Sequence, residues 1–298
     1  MHPAPFDYEV AESVDHAIEL MNEHGEDARL LAGGHSLIPL MRLRLAVPTV
    51  LVDLGKLDDL RYVREDGDQL AIGALTCHRD LLNNELVQEH CGIVGYTGGL
   101  LGDPSVQHRG TIGGTLAHGD PAGDMPSVIC ALEGEIVIQG SDGERTVGAL
   151  DFFKDYLYTD LEHGEVVKEI RVPKLSSDTG WSYKKFSRRS QDWAIVGVAA
   201  VVEKSNGSIG SARIGLTSMG STPIRASATE EALSGASVDG VARAGSVWSS
   251  VQDMSKWMQM LLDGGRANGR VLLTPETVKE LFTPQALVTP EGFYPTAR

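Results

Sequence analysis

The chain has 298 residues, 42% of them hydrophobic and 22% charged, with a formal net charge of -15. That composition belongs to a soluble globular protein long enough to bury one large core or several smaller ones, and it excludes a disordered chain. The acidic balance argues against nucleic acid or an anionic membrane surface as partner, so an anionic ligand must be held by local backbone dipoles and a few placed cations.

The N-terminal MHPAPFDYEVAESVDHA has no basic stretch leading into an apolar core. No apolar run approaches the roughly 20 residues of a membrane span, so a cytoplasmic protein with no membrane span is expected. Residues 12–24 place Val14, Ala17, Ile18 and Met21 at helical spacing, and Gly25 follows as a stop. Short buried strands are predicted at Arg29–Leu31 and Val50–Val52, on either side of the Gly33-Gly34 step. LRYVRED and DQLAIGALT form a hairpin turning at Asp66-Gly67, and residues 79–91 read as a helix. A second Gly-rich loop, QHRGTIGGTLAHGDPAGDMP, spans 107–126. A further hairpin turns at Asp142-Gly143, and Val166–Val172 is a strand that Pro173 closes. SSDTG at 176–180 reads as a linker, and three strands follow, with Asn206-Gly207 the clearest turn among them.

The two Gly-Gly segments carry the functional signal. Each is an apolar run entering Gly-Gly flanked by Ser, Thr or His, able to expose several backbone N–H groups around a concavity that suits phosphate; the alternative for either loop alone is a tight turn. No two glycines stand two apart, so the G-x-G-x-x-G fingerprint is absent, as is G-x-x-x-x-G-K-[ST]. Three cysteines, Cys77, Cys91 and Cys130, without a C-x-x-C pair, fit reduced structural thiols and cannot hold an iron–sulfur cluster by themselves.

Over residues 1 to about 238 the paired motifs resemble the FAD-binding medium subunit of the molybdenum hydroxylases, the carbon monoxide dehydrogenase and xanthine dehydrogenase group. The resemblance implies an α+β fold: a two-part FAD-binding domain of the vanillyl-alcohol oxidase or PCMH type over 1–175, divided at 55/56, and a curtailed α+β C-terminal domain over 176–240. It also implies noncovalent FAD as the cofactor, with the pyrophosphate held by Ala32, Gly33, Gly34, His35 and Ser36 and by Thr111, Ile112, Gly113, Gly114 and Thr115. Asp124 would lie near the ribityl or isoalloxazine portion, and Leu101 and Lys185 complete the binding set. Thr115 stands where the family most often has Asn, and Gly119 and Gly123 where it has Ala. His35 and His118 read as hydrogen-bonding groups in preference to covalent anchors. Arg109, Lys184, Lys185, Arg188 and Arg189 are the local cations, the last four equally readable as a solvated strand face. Trp193 stands either near the flavin ring or in the core. No catalytic acid or base and no metal ligand is expected, because the chemistry is the cofactor's.

The implied function is oxidoreductase electron transfer from a small [2Fe-2S] subunit to an external acceptor, within a heterotrimer that also contains a large molybdopterin subunit. A stand-alone FAD oxidoreductase and a flavin-free assembly scaffold are the alternatives. Residues 244–286 resemble instead a late segment of the serine β-lactamase-like hydrolases, with Met254, Trp257, Met258 and Leu261 on one helical stripe. The only Ser-x-x-Lys, Ser182 to Lys185, falls in strand-like text without the companion motifs, so 241–298 reads as a fused fragment without hydrolase activity.

Overall fold

The computed structural model describes residues 2–238 and, beyond them, Gly264, Arg266, Ala267, Arg270, Val271 and Thr274. The chain divides into two units, Met1–Val238 and Asp239–Arg298.

In the first unit, strand β1 (Asp7–Val10) precedes helix α1 (Val14–His24). Ser13 caps the helix by accepting the His16 amide at 3.0 Å, and Gly25 ends it at a φ of 62°. Val14, Ala17, Ile18 and Met21, the expected stripe, are buried together with Leu20. They pack on a parallel sheet of order β1-β3-β2, in which β2 (Ala28–Leu31) runs into helix α2 (Leu37–Arg42) before returning as β3 (Val50–Asp53). The first Gly-Gly step therefore sits at the carboxyl end of a parallel strand. Asp7 and Tyr8 are exposed, which is why β1 shows no strand signal in the sequence.

The 58–75 hairpin forms as β4 (Val63–Asp66) and β5 (Gln69–Gly73). The single helix expected over 79–91 is two, α3 (His78–Asn83) and α4 (Glu85–His90). Asn84 divides them: its backbone is extended, and its side-chain oxygen accepts the Val87 amide at 3.1 Å, which starts a new helix in place of continuing the old one. Four short helices follow, α5 (Gly92–Gly98), α6 (Pro104–Arg109), α7 (Ile112–His118) and α8 (Asp124–Ala131). Next come the Asp142-Gly143 hairpin, β6 (Glu135–Gly140) and β7 (Gly143–Gly148), then α9 (Ala149–Phe152), β8 (Phe153–Asp155), β9 (Tyr158–Thr159) and β10 (Val166–Pro173). The antiparallel sheet β4-β5-β10-β6-β7 backs the largest core, built from Leu70, Ile72, Ile136, Ile138 and Ile170 against Ile112, Leu116, Val128 and Ile129 of α7 and α8.

A second antiparallel sheet, β11 (Thr179–Phe186), β12 (Val196–Ser205), β13 (Ser208–Thr217) and β14 (Ile224–Arg225), is followed by α10 (Ser227–Leu233). The strand β11 begins at Thr179, inside the segment expected to be linker. Tyr183, Ala199 and Val201 join the large core, so this sheet and α8 share one apolar interior. Among the described residues of the second unit, β15 (Arg266–Ala267) pairs with β16 (Arg270–Val271). The helical stripe expected at 254–261 lies outside the described residues. No helix among those described is long and apolar enough to cross a membrane.

Candidate functional site

A cavity of about 630 Å³ opens within the first unit, lined from β2, the first Gly loop, α7, the start of α8, β10 and β11. That volume is within the usual range for a cofactor site. The elements that meet there are distant in sequence, and glycine makes their approach possible. A Cβ on Gly33 would run into the carbonyl oxygen of Arg109, so the loop after β2 lies directly on the turn between α6 and α7.

The first motif lies at the cavity. Ala32, Gly33, Gly34, His35 and Ser36 all line the cavity. Gly34 adopts a φ of 76°, and the amides of Gly33, Gly34, His35 and Ser36 make no hydrogen bond with any described residue. Successive unpaired amides next to a cavity can serve as an anion receptor.

The second motif differs from its expectation. Thr111, Gly113, Gly114 and Thr115 line the cavity, but Gly113 and Gly114 belong to the first turn of α7, and their amides are engaged. Ile112 N–H donates to Thr76 O at 3.1 Å, Gly113 N–H to Ala74 O at 2.9 Å, Gly114 N–H to Thr111 Oγ1 at 3.1 Å and Thr115 N–H to Thr111 O at 3.0 Å. The Ile112 side chain is buried in the core and does not line the cavity. Helix formation wins here because Thr111 is a good N-cap and the carbonyls of Ala74 and Thr76 supply acceptors across the bridge between Cys77 and Thr111. The polar groups that this segment still has to offer a ligand are the side-chain hydroxyls of Thr111 and Thr115, both lining residues.

At the other wall, Lys185 and Asp124 form a buried pair with Nζ to Oδ2 at 2.7 Å and side chains only 7% and 2% exposed. Tyr183, two residues along β11 and hence on the same face, donates to Asp124 Oδ1 at 2.6 Å. Burial first, and then the Asp124 carboxylate, push the Tyr183 phenol well above its usual value, so it is a fixed hydrogen-bond donor. Ser127 and Thr217 close the cluster, oxygen to oxygen at 2.6 Å. Leu101 is buried at the cavity, and Trp193 lines it while 59% exposed, which excludes the core alternative. His35 is exposed; His118 is half-buried and its pKa is lowered, chiefly by desolvation. Arg109, Lys184, Arg188 and Arg189 are exposed and do not line the cavity, whereas Lys185 does.

The sequence reading missed His78. It is 2% exposed, lines the cavity, and lies 2.9 Å through Nε2 from Thr115 Oγ1. Burial pushes its pKa down to about 4, so it is neutral near pH 7. A lone His at the start of a short helix, followed by Arg79 and Asp80, gives no sequence signal for this. The three cysteines are free and buried, with the thiols of Cys91 and Cys130 pushed up to about 12, mainly by desolvation. They are inert structural thiols, and among the described residues there is no cluster of side chains that could hold a metal.

Comparison with known proteins fits this geometry. Residues 4–175 match the family model described as the FAD binding domain in molybdopterin dehydrogenase, and residues 181–255 that of the CO dehydrogenase flavoprotein C-terminal domain. The carbon monoxide dehydrogenase medium chain of Hydrogenophaga pseudoflava is 43% identical over 225 residues, covering 76% of this chain and 78% of that one. The glyceraldehyde dehydrogenase medium chain of Sulfolobus acidocaldarius is 37% identical over 233 residues, covering 78% and 82%. A solved structure of the Hydrogenophaga pseudoflava carbon monoxide dehydrogenase superposes with a TM-score of 0.79 at 37% identity over 94% of both chains.

Proposed function

Because the chain belongs to the FAD-binding medium-subunit family of the molybdenum hydroxylases, an oxidoreductase family, we propose that it carries electrons from a partner [2Fe-2S] subunit to an external acceptor. FAD is its cofactor. When bound, the flavin accepts electrons and hands them on in pairs. The single observation that carries the assignment to this cavity is that Gly33 to Ser36 line it with four amides that have no hydrogen-bond partner among the described residues.

In this reading those amides receive the pyrophosphate, with the Thr111 and Thr115 hydroxyls opposite them. Backbone dipoles and hydroxyls suffice for an anion even in a chain of net charge -15, because they act at contact while the average field is screened. Leu101 provides apolar contact, and the neutralised Lys185–Asp124 pair, braced by Tyr183, sets a rigid polar wall beside the ring. Trp193, exposed and among the lining residues, offers an aromatic surface to the cofactor. None of these groups is a proton donor or acceptor in the chemistry.

The relatives are named medium chains of enzymes with different substrates, carbon monoxide and glyceraldehyde. Substrate choice then resides in a large molybdopterin subunit, and a small iron–sulfur subunit completes a heterotrimer. The free, buried thiols suit a reducing compartment, which supports a cytoplasmic assembly. Acid precipitation should release the yellow chromophore to the supernatant, since binding is noncovalent. Flavin retained in the pellet, or apoprotein that takes up no FAD, would refute the assignment. Reduction by substrate should require the partner subunits; reduction in the isolated chain would refute the electron-transfer role.

A further inference from the structure

The head of α7 has spent its amides on Thr76, Ala74 and Thr111, so any donor it turns toward an anion must be a hydroxyl. Thr111 Oγ1 already accepts from Gly114, which leaves its proton free to point outward. Thr115 Oγ1 has one partner among the described residues, His78 Nε2 at 2.9 Å. Either atom can donate in that pair, and the direction decides whether the Thr115 proton faces the cavity or the imidazole.

The second ring nitrogen settles the direction. His78 Nδ1 is buried and has no hydrogen-bond partner among the described residues. An imidazole buried and neutral carries one proton. On Nδ1 it would be a buried N–H without an acceptor, the rarer and costlier orphan, whereas a bare lone pair is more often tolerated. The proton therefore belongs on Nε2, which donates to Thr115 Oγ1 and turns the Thr115 hydroxyl proton away from the ring.

Resting on the assignment of FAD to this cavity, we propose that His78 is a positioning residue that fixes Thr115 as a hydrogen-bond donor toward a pyrophosphate oxygen of the cofactor. The relay runs one way, from His78 Nε2–H to Thr115 Oγ1 and from the Thr115 hydroxyl to the anion. It restores at the second wall a directed donor that the helix amides no longer supply. No proton is transferred, and His78 itself touches no phosphate.

The test is FAD titration of the apoprotein, read by flavin fluorescence, together with the ring tautomer read by ¹H–¹⁵N NMR of histidine-labelled full-length chain. Thr115→Val should weaken FAD binding by about 10-fold or more, the scale of one hydrogen bond to a charged oxygen. His78→Phe should weaken it several-fold, yet have little further effect in the Thr115→Val background. His78→Gln, which keeps an N–H at similar reach, should recover most of the loss. The NMR spectrum should place the proton on Nε2. A proton on Nδ1, additive losses in the double variant, or an unchanged affinity in Thr115→Val would each overturn the relay. If His78→Phe fails to fold, the tautomer and Thr115→Val still decide. Gly33→Ala serves as the control for the site: if it too leaves FAD affinity intact, the cavity assignment itself is wrong, whereas loss there with no effect at Thr115 condemns the relay alone.

Discussion

At the scale of single residues, the Lys185–Asp124 pair and His78 are energetically sensitive because both are out of water. Removing one member of a buried ion pair leaves an uncompensated charge, at a cost of roughly 3–5 kcal/mol. Lys185→Met should therefore lower the urea-unfolding free energy by about that amount, and adding Asp124→Asn should restore much of it. His78 is held neutral by desolvation, its pKa down from the usual 6.5 to about 4. The unfolded chain then binds a proton that the folded chain refuses, so stability is fully present above about pH 6.5 and is lost as pH falls toward 4. At ~1.4 kcal/mol per pH unit the difference is of the order of 3 kcal/mol. Urea melts of the wild type and of His78→Gln across that window should show a steeper loss for the wild type; parallel curves would mean His78 is not buried neutral.

At the scale of elements, the two Gly-Gly steps do different work. Gly33 lets the β2–α2 loop lie on the Arg109 carbonyl, Gly34 takes a left-handed turn, and the amides of this loop are left unpaired beside the cavity. Gly113 is pressed against β5's exit, where an added Cβ would stand 2.5 Å from Ala74 Cβ. The amides of the first step have no partner among the described residues, whereas those of the second are spent on Thr76, Ala74 and Thr111. Gly33→Ala should abolish FAD retention and also lower the melting temperature, because its Cβ would meet the Arg109 carbonyl oxygen. Gly113→Val should instead destabilise the fold itself by a few kcal/mol, as overpacking does, and lose flavin as a consequence. Melting temperature and FAD affinity measured on both variants separate the cases: a Gly113→Val protein of normal stability would contradict the packing role.

At the scale of the whole molecule, the cavity and both large cores lie within residues 1–238. A chain ending at Val238 should thus keep its FAD affinity within about twofold, which is under ~0.5 kcal/mol. A large loss on truncation would mean that residues 239–298 contribute to the site, in keeping with the reach of the flavoprotein C-terminal match to residue 255. The same chain should hydrolyse no chromogenic β-lactam or ester with or without that segment.

Local rules were enough where the signal is local. The stripe and stop of α1, the turns at Asp66-Gly67, Asp142-Gly143 and Asn206-Gly207, and the three long strands β11 to β13 follow from side-chain period and turn chemistry, and the resemblance of the two Gly-Gly motifs pointed to FAD. Helices α5 to α8 were not legible, because they are short, glycine-rich or apolar on all sides and take their stability from packing rather than from an amphipathic period. Tertiary structure alone decided how the second motif is used. Whether an amide is free depends on acceptors far away in sequence, here the carbonyls of Ala74 and Thr76, and no spacing within 107–126 encodes them. The same holds for His78 and for the burial of Lys185 on Asp124: hydrogen-bond partners and dielectric environment are properties of the assembled fold, while periodicity, turns and motif chemistry belong to the chain.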